Sequence, residues 1–234
     1  MNLKAIIFDV DGTLADTEDA HRIAFNQTFA ENNLPWNWDV ELYGKLLKVT
    51  GGKERIKYYV ESFLTDFSKP ADYEGFVKNL HVQKTAHYTA ALRDGHIPLR
   101  PGIRQLILDT HKAGLKLAIA TTTSPENVAA LLEVGLDKDW NNYFDAIGCG
   151  DIVPLKKPAP DIYNWVLNQI KLAPQDCIAL EDSSNGLRSA LDAGIRTYIT
   201  TNPYTCKQDF AGAAAVLDDL SDLANFYKVT GLRL

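Results

Sequence analysis

Five brief, almost unbroken apolar runs constrain this chain most: residues 3–9 (LKAIIFD), 115–121 (LKLAIAT), 144–148, 177–181 (CIALE) and 195–200 (IRTYIT). Runs this short with few polar interruptions suit strands buried on both faces, as in a parallel sheet. Helix-length segments at 102–113, 124–134, 158–171 and 184–193 lie between or beside them. Gly114, Gly135 and Gly194 stand where helices would end, and glycine suits the left-handed residue just past a helix. Pro125 and Pro158 stand where helices would begin. The alternation predicts an α/β fold with a doubly wound, Rossmann-like parallel sheet.

Residues 16–98 break that rhythm. They read as helices without strands and carry four of the five histidines (His21, His81, His87 and His96). A parallel crossover needs only a dozen or so residues, so this stretch is an insertion. The expected organisation is a core of residues 1–15 and 99–234 and an inserted α-helical domain of residues 16–98. Lys plus Arg is 24 and Asp plus Glu is 30, a net charge of −6. That balance argues against nucleic acid or an anionic membrane as partner. No apolar run approaches the ~20 residues of a membrane span, and no signal peptide is expected at the start. Three widely spaced cysteines (Cys149, Cys177 and Cys206) make no disulfide framework and suit a cytoplasmic location. No CxxC or HxxxH pair suggests zinc.

In open α/β sheets, ligands bind beyond the carboxyl ends of the strands. Here those ends read Asp9-Val10-Asp11-Gly12-Thr13, Thr121-Thr122-Thr123-Ser124 and Glu181-Asp182-Ser183-Ser184, with Lys156-Lys157-Pro158 after the third run. If the first strand is central, flanked by the second and fourth, these segments converge on one cleft. Four carboxylates, one cation and several hydroxyls would share it. Such a crowd of acids would repel itself, and a hard divalent cation resolves the conflict; oxygen ligands of this kind suit Mg²⁺.

DVDGT, a strand ending in Thr, KPAPD and LEDS, in that order, resemble the four motifs of the haloacid dehalogenase-like phosphohydrolases. The insertion after the first motif matches the helical-cap branch, which includes β-phosphoglucomutase and phosphoglycolate phosphatase. DTEDAH and VTGGKER within the insertion are similar to segments of the CbbY family of xylulose-1,5-bisphosphate phosphatases. The resemblance implies that Asp9 is the nucleophile, ionised at pH 7 and forming an aspartyl-phosphate. Asp11 would protonate the leaving alcohol and later deprotonate water. Asp9, the Asp11 backbone carbonyl, Asp182 and, directly or through water, Glu181 would hold Mg²⁺. Lys157, Thr121 and backbone N–H groups near Val10–Asp11 and Thr122 would hold the phosphoryl oxygens.

Other residues admit two readings. Thr123 either caps a helix, three residues before Glu126, or contacts phosphate. Lys156 competes with Lys157, which directly precedes the proline, as in the motif. Glu18, His21 and Phe25 share one helix face; the polar end is either solvated or, by the DTExxH resemblance, a substrate or proton-relay contact. Gly51 and Gly52 either make a plain turn or let the backbone approach substrate, with Lys53 and Arg55 as cations and Arg55 gripping a second phosphate. Arg100 is either structural or a further contact. His81, His87, His96 and His111 read as surface residues, and the four tryptophans (Trp36, Trp38, Trp140 and Trp165) as packing. The expectation is a monomeric Mg²⁺-dependent phosphatase acting on a small sugar (bis)phosphate, with xylulose-1,5-bisphosphate indicated by the resemblance. A phosphomutase, a phosphoglycolate phosphatase and a non-catalytic binding protein are the rivals.

Overall fold

The computed structural model describes residues 3–64, 66–95 and 97–232. They divide into two compact units, Met1–Asp16 with Ile97–Leu234, and Thr17–His96. In chain order the elements are β1 (Ala5–Phe8), α1 (Glu18–Glu31), α2 (Val40–Leu46), α3 (Gly52–Phe63), α4 (Tyr73–Arg93), α5 (Ile103–Lys112), β2 (Lys116–Ala120), α6 (Pro125–Gly135), β3 (Ala146–Gly148), α7 (Asp161–Ile170), β4 (Cys177–Glu181), α8 (Ser184–Asp192), β5 (Arg196–Thr200), β6 (Ala215–Leu217) and α9 (Leu223–Thr230).

The first unit is a parallel sheet in the order β3-β2-β1-β4-β5-β6. β1 lies between β2 and β4, and Phe8 pairs with both Ile119 and Leu180. The two faces of the sheet are built differently. Ala5, Ile7, Ala118, Ala120, Cys177 and Ala179 meet Ile162, Tyr163, Val166 and Ile170 of α7. All of these strand residues but Ile7 are small, which lets α7 lie close. The alternate residues Ile6, Phe8, Leu117, Ile119, Ile178 and Leu180 are fully buried on the other face. Burial of each large apolar side chain contributes about 1.5–3 kcal/mol. This two-sided burial is why the runs lack polar alternation.

Three local expectations are corrected. Helix α6 is capped by Ser124, whose hydroxyl accepts from the Asn127 N–H at 3.4 Å, rather than by Thr123. Pro158 does not open a helix, because α7 begins only at Asp161, with Pro160 before it. Gly135 is the last residue of α6 and lacks a positive φ; a Cβ there would run into Leu99. The edge strand β6 and helix α9 were not predicted. β6 is only three residues long with Val216 half exposed, so its apolar run is too short to read as a buried strand.

The second unit is all helical, and α1 packs along α4. Phe25, Phe29, Trp36, Trp38, Tyr43 and Tyr59 form its aromatic centre. The Asn26 side chain donates to the Trp38 carbonyl at 2.8 Å and accepts its N–H at 2.7 Å, fixing the chain between α1 and α2. Trp36 and Trp38 are thus packing residues. His96 lies outside the described residues. Among the described residues, no helix is long and apolar enough to cross a membrane.

Candidate active site

Parallel pairing puts the ends of β2, β1 and β4 side by side. The residue after β1 is Asp9, its N–H still bonded to the Leu180 carbonyl at 3.0 Å. The chain then folds back sharply: the Val10 carbonyl accepts from Leu14 N at 2.9 Å, and the Ala15 carbonyl from Gly12 N at 2.8 Å. Gly12 has φ 83°, a left-handed conformation that favours glycine. This tight turn keeps Asp9 at the strand end and half-buries Asp11.

Lys157 Nζ donates to Asp9 Oδ1 and to Glu181 Oε1, both at 2.6 Å. One oxygen each from Asp9, Glu181 and Asp182 lies within 4.8 Å of the others. All three acids and Lys157 are buried. Lys156 instead pairs with Asp151 at 3.0 Å. Tyr163 OH donates to Glu181 Oε1 at 2.6 Å, and Asn202 Nδ2 donates to Asp182 Oδ2 at 2.7 Å. Glu181 Oε2 is buried and accepts no hydrogen bond.

Charge follows from this packing. Three buried acids face one buried lysine, a net −2 when all are ionised. Burial pushes the Asp9 carboxyl up to about 7; Lys157 opposes the rise, and Glu181 and Asp11 add to it. Burial alone would lower Lys157, but Asp9 and Glu181 outweigh it and hold the ammonium protonated. Burial, then the charges of Glu181 and Asp9, keep Tyr163 a neutral donor. Without added positive charge, the Asp9 proton is held into the neutral range. An orphaned carboxylate oxygen within an excess of buried negative charge fits a hard divalent cation.

Thr121 is buried at the end of β2; its N–H continues the ladder to the Gly148 carbonyl at 2.9 Å, and its hydroxyl accepts from Thr123 N at 3.3 Å. Thr122 follows, half-buried. The Thr123 hydroxyl accepts from Asn127 Nδ2 at 2.8 Å, an internal bond that braces the start of α6. Arg100 is corrected to a structural residue. Its guanidinium donates to the carbonyls of Gly12 (2.5 Å), Thr200 (3.2 Å), Thr201 (2.5 Å) and Asp218 (2.8 Å), and it pairs with Asp16 at 3.3 Å. It ties the Asp9–Ala15 turn to the end of β5 instead of facing a ligand.

In the helical unit, Glu18 accepts from Tyr43 OH at 3.0 Å, and Tyr43 OH accepts from Arg55 at 3.0 Å. Arg55 also donates to the Val49 carbonyl at 3.3 Å, and its buried Nε has no partner. Gly51, with φ 99°, precedes α3, and a Cβ on Gly52 would collide with His81. Lys53 follows on the first turn of α3. His21 is buried, not solvated: it stacks on Tyr88 at 3.8 Å and its Nδ1 meets Lys84 Nζ. Lys84, also buried, lies 5.1 Å from the Phe25 ring centre and 4.8 Å from that of Tyr88.

Four of these residues escaped the sequence reading. Tyr163 sits on the apolar stripe of α7 and reads as core. Tyr43 and Lys84 come from helices distant in sequence. Asn202 was within reach, since it follows the fifth strand end, where the same rule about ligands applies.

Comparison with known proteins follows the same lines. A family described as haloacid dehalogenase-like hydrolase matches residues 3–194. The chain is 48% identical over 222 residues to the plasmid-encoded protein CbbY of Cupriavidus necator, covering 95% of this chain and 87% of that protein. It is 45% identical over 221 residues to protein CbbY of Cereibacter sphaeroides, covering 94% of each. The crystal structure of CbbY from Rhodobacter sphaeroides in complex with phosphate superposes with a TM-score of 0.87 at 44% identity, covering 94% of this chain and 96% of that one. A mutant of that CbbY, crystallised in complex with xylulose-1,5-bisphosphate, matches equally well.

Proposed function

The chain belongs to the haloacid dehalogenase-like hydrolases, and from that premise we propose that it is a Mg²⁺-dependent phosphatase whose substrate is xylulose-1,5-bisphosphate. The observation that carries this reading is the contact of Lys157 with both Asp9 and Glu181 in one buried pit, with Asp182 beside them. The 44–48% identity to CbbY proteins, one of them crystallised with that sugar bisphosphate, supports the choice of substrate.

Asp9, Glu181 and Asp182, with the Asp11 carbonyl, would hold Mg²⁺. The ion, when bound, supplies positive charge that favours ionised Asp9 and offsets charge on the phosphoryl oxygens. Asp9 attacks phosphorus in line, and the bond from phosphorus to the sugar oxygen breaks. Asp11 gives its proton to that oxygen as the sugar leaves. It then takes a proton from a water molecule, which attacks the same phosphorus; the bond to Asp9 breaks and inorganic phosphate departs. Lys157 carries a fixed positive charge beside Asp9 throughout, and Thr121 and Thr122 bind phosphoryl oxygens. Glu18, His21, Gly52, Lys53 and Arg55 of the helical unit would bind the remainder of the substrate, with Arg55 directed to the second phosphate.

Phosphate release from a panel of sugar bisphosphates and monophosphates, with Mg²⁺ and with EDTA, tests the proposal. The parent should release phosphate only with Mg²⁺, and xylulose-1,5-bisphosphate should lead the panel. Asp9→Asn should lose at least about 10³-fold in rate. Activity that survives EDTA, or an asparagine variant as fast as the parent, would overturn it. Isomerised sugar phosphate without free phosphate would identify a mutase instead.

A further inference from the structure

Glu181 and Asp182 are neighbours at one strand end, yet both must present an oxygen to the same small volume. β4 ends at Glu181 and the chain bends at Asp182, which brings an oxygen of each within 4.8 Å of the other; two acids so close repel and cannot steady each other. Each is instead gripped by a neutral donor from a different part of the core. Tyr163, from α7, donates to Glu181 Oε1 at 2.6 Å, and Asn202, from the loop after β5, donates to Asp182 Oδ2 at 2.7 Å.

Each donor is itself fixed. Tyr163 is fully buried, and its ring centre lies 5.2 Å from Lys157 Nζ. With Lys157, Tyr163 places two donors on Glu181 Oε1 and leaves Oε2 without any. The Asn202 side-chain oxygen accepts from the N–H groups of Tyr204 at 2.9 Å and Thr205 at 3.2 Å, so only its amide nitrogen is turned to Asp182. Glycines make room at both contacts: a Cβ on Gly186 would collide with Glu181 Oε2, and one on Gly12 with both Asp182 Oδ2 and Asn202 Nδ2.

We propose that Tyr163 and Asn202 are positioning residues that orient the Glu181–Asp182 pair for its cation, Tyr163 acting on Glu181 and Asn202 on Asp182. The inference rests on the Mg²⁺ reading of the site given above. Neutral donors suit this task. They fix direction without neutralising the acids, whereas a second lysine would compete with the cation for the same charge. Partners one shell out from metal ligands typically change metal affinity by about 10–100-fold when removed.

The test is Mg²⁺ binding measured by calorimetry on the whole protein without substrate. Tyr163→Phe keeps the ring against Lys157 and deletes only the hydroxyl. Asn202→Ala deletes the amide; Asn202→Ser, which keeps an acceptor for the loop N–H groups, replaces it should the alanine variant not fold. Each variant is expected to raise the Mg²⁺ dissociation constant about tenfold or more. A tyrosine or asparagine variant that binds Mg²⁺ within twofold of the parent would overturn the inference. A parent that takes up no Mg²⁺ would overturn the metal reading itself, and this inference with it.

Discussion

The two units solve the burial of charge in opposite ways. In the sheet unit, three buried acids share one lysine, and the surplus is negative. In the helical unit, cations lie against aromatic rings: Lys84 near Phe25 and Tyr88, and Arg55 5.3 Å from the Tyr43 ring centre. A cation over a ring face gains about 0.5–2 kcal/mol. A buried ion pair, in contrast, fails badly when one member is removed. The sheet unit thus has surplus negative charge that an added cation would offset, and the helical unit sets its cations against aromatic rings.

Substitution of the two buried lysines separates these solutions most sharply. Lys157→Ala leaves Asp9 and Glu181 uncompensated and should cost about 3–5 kcal/mol in urea unfolding, with loss of phosphate release. Lys84→Met is the mild counterpart. It keeps an unbranched chain among the same rings and should cost only about 1–2 kcal/mol. Equal losses would erase the contrast.

Between these extremes, Arg55→Ala should weaken handling of a bisphosphate about 10–100-fold, the worth of a charge-assisted hydrogen bond. A small activated monophosphate should be affected little, because it has no second phosphate to hold. Comparing kcat/KM for the two substrates checks this; equal losses would remove Arg55 as a clamp.

A further difference is in pH. Asp9 holds its proton up to about 7 in the folded chain, against 3.8 for an unperturbed aspartate. Between those values the native state carries the extra proton, so this residue's contribution to metal-free stability is full below about 3.8 and is lost as pH rises through about 7. A cation must displace the same proton. Apparent Mg²⁺ affinity should therefore rise by up to about tenfold per pH unit below 7 and level off above it. Titration calorimetry from pH 5.5 to 8 measures this, and Asp9→Asn should flatten the slope.

The same contrast explains what could be read without coordinates. β1, β2 and β4 were legible because burial on both faces leaves an unbroken apolar run. The acids were legible because they directly follow those runs. Their convergence needed only the order β2-β1-β4, which the topology supplies. The helical unit hides its chemistry, since His21 on α1 meets Lys84 on α4, 63 residues away. No spacing rule connects such a pair. Arg100 shows the reverse error: a lone arginine near the boundary of the insertion looked like a ligand contact, yet uncapped carbonyls at the strand ends claim it.

Rapid acid quenching during turnover of a bisphosphate labelled in the transferred phosphoryl group, followed by peptide mass spectrometry, is the most direct test of the chemistry proposed for the pit. The labelled phosphoryl group should appear on the peptide carrying Asp9 and vanish in Asp9→Asn. Steady release of phosphate with no label on that peptide, or with label on another residue, would contradict the account.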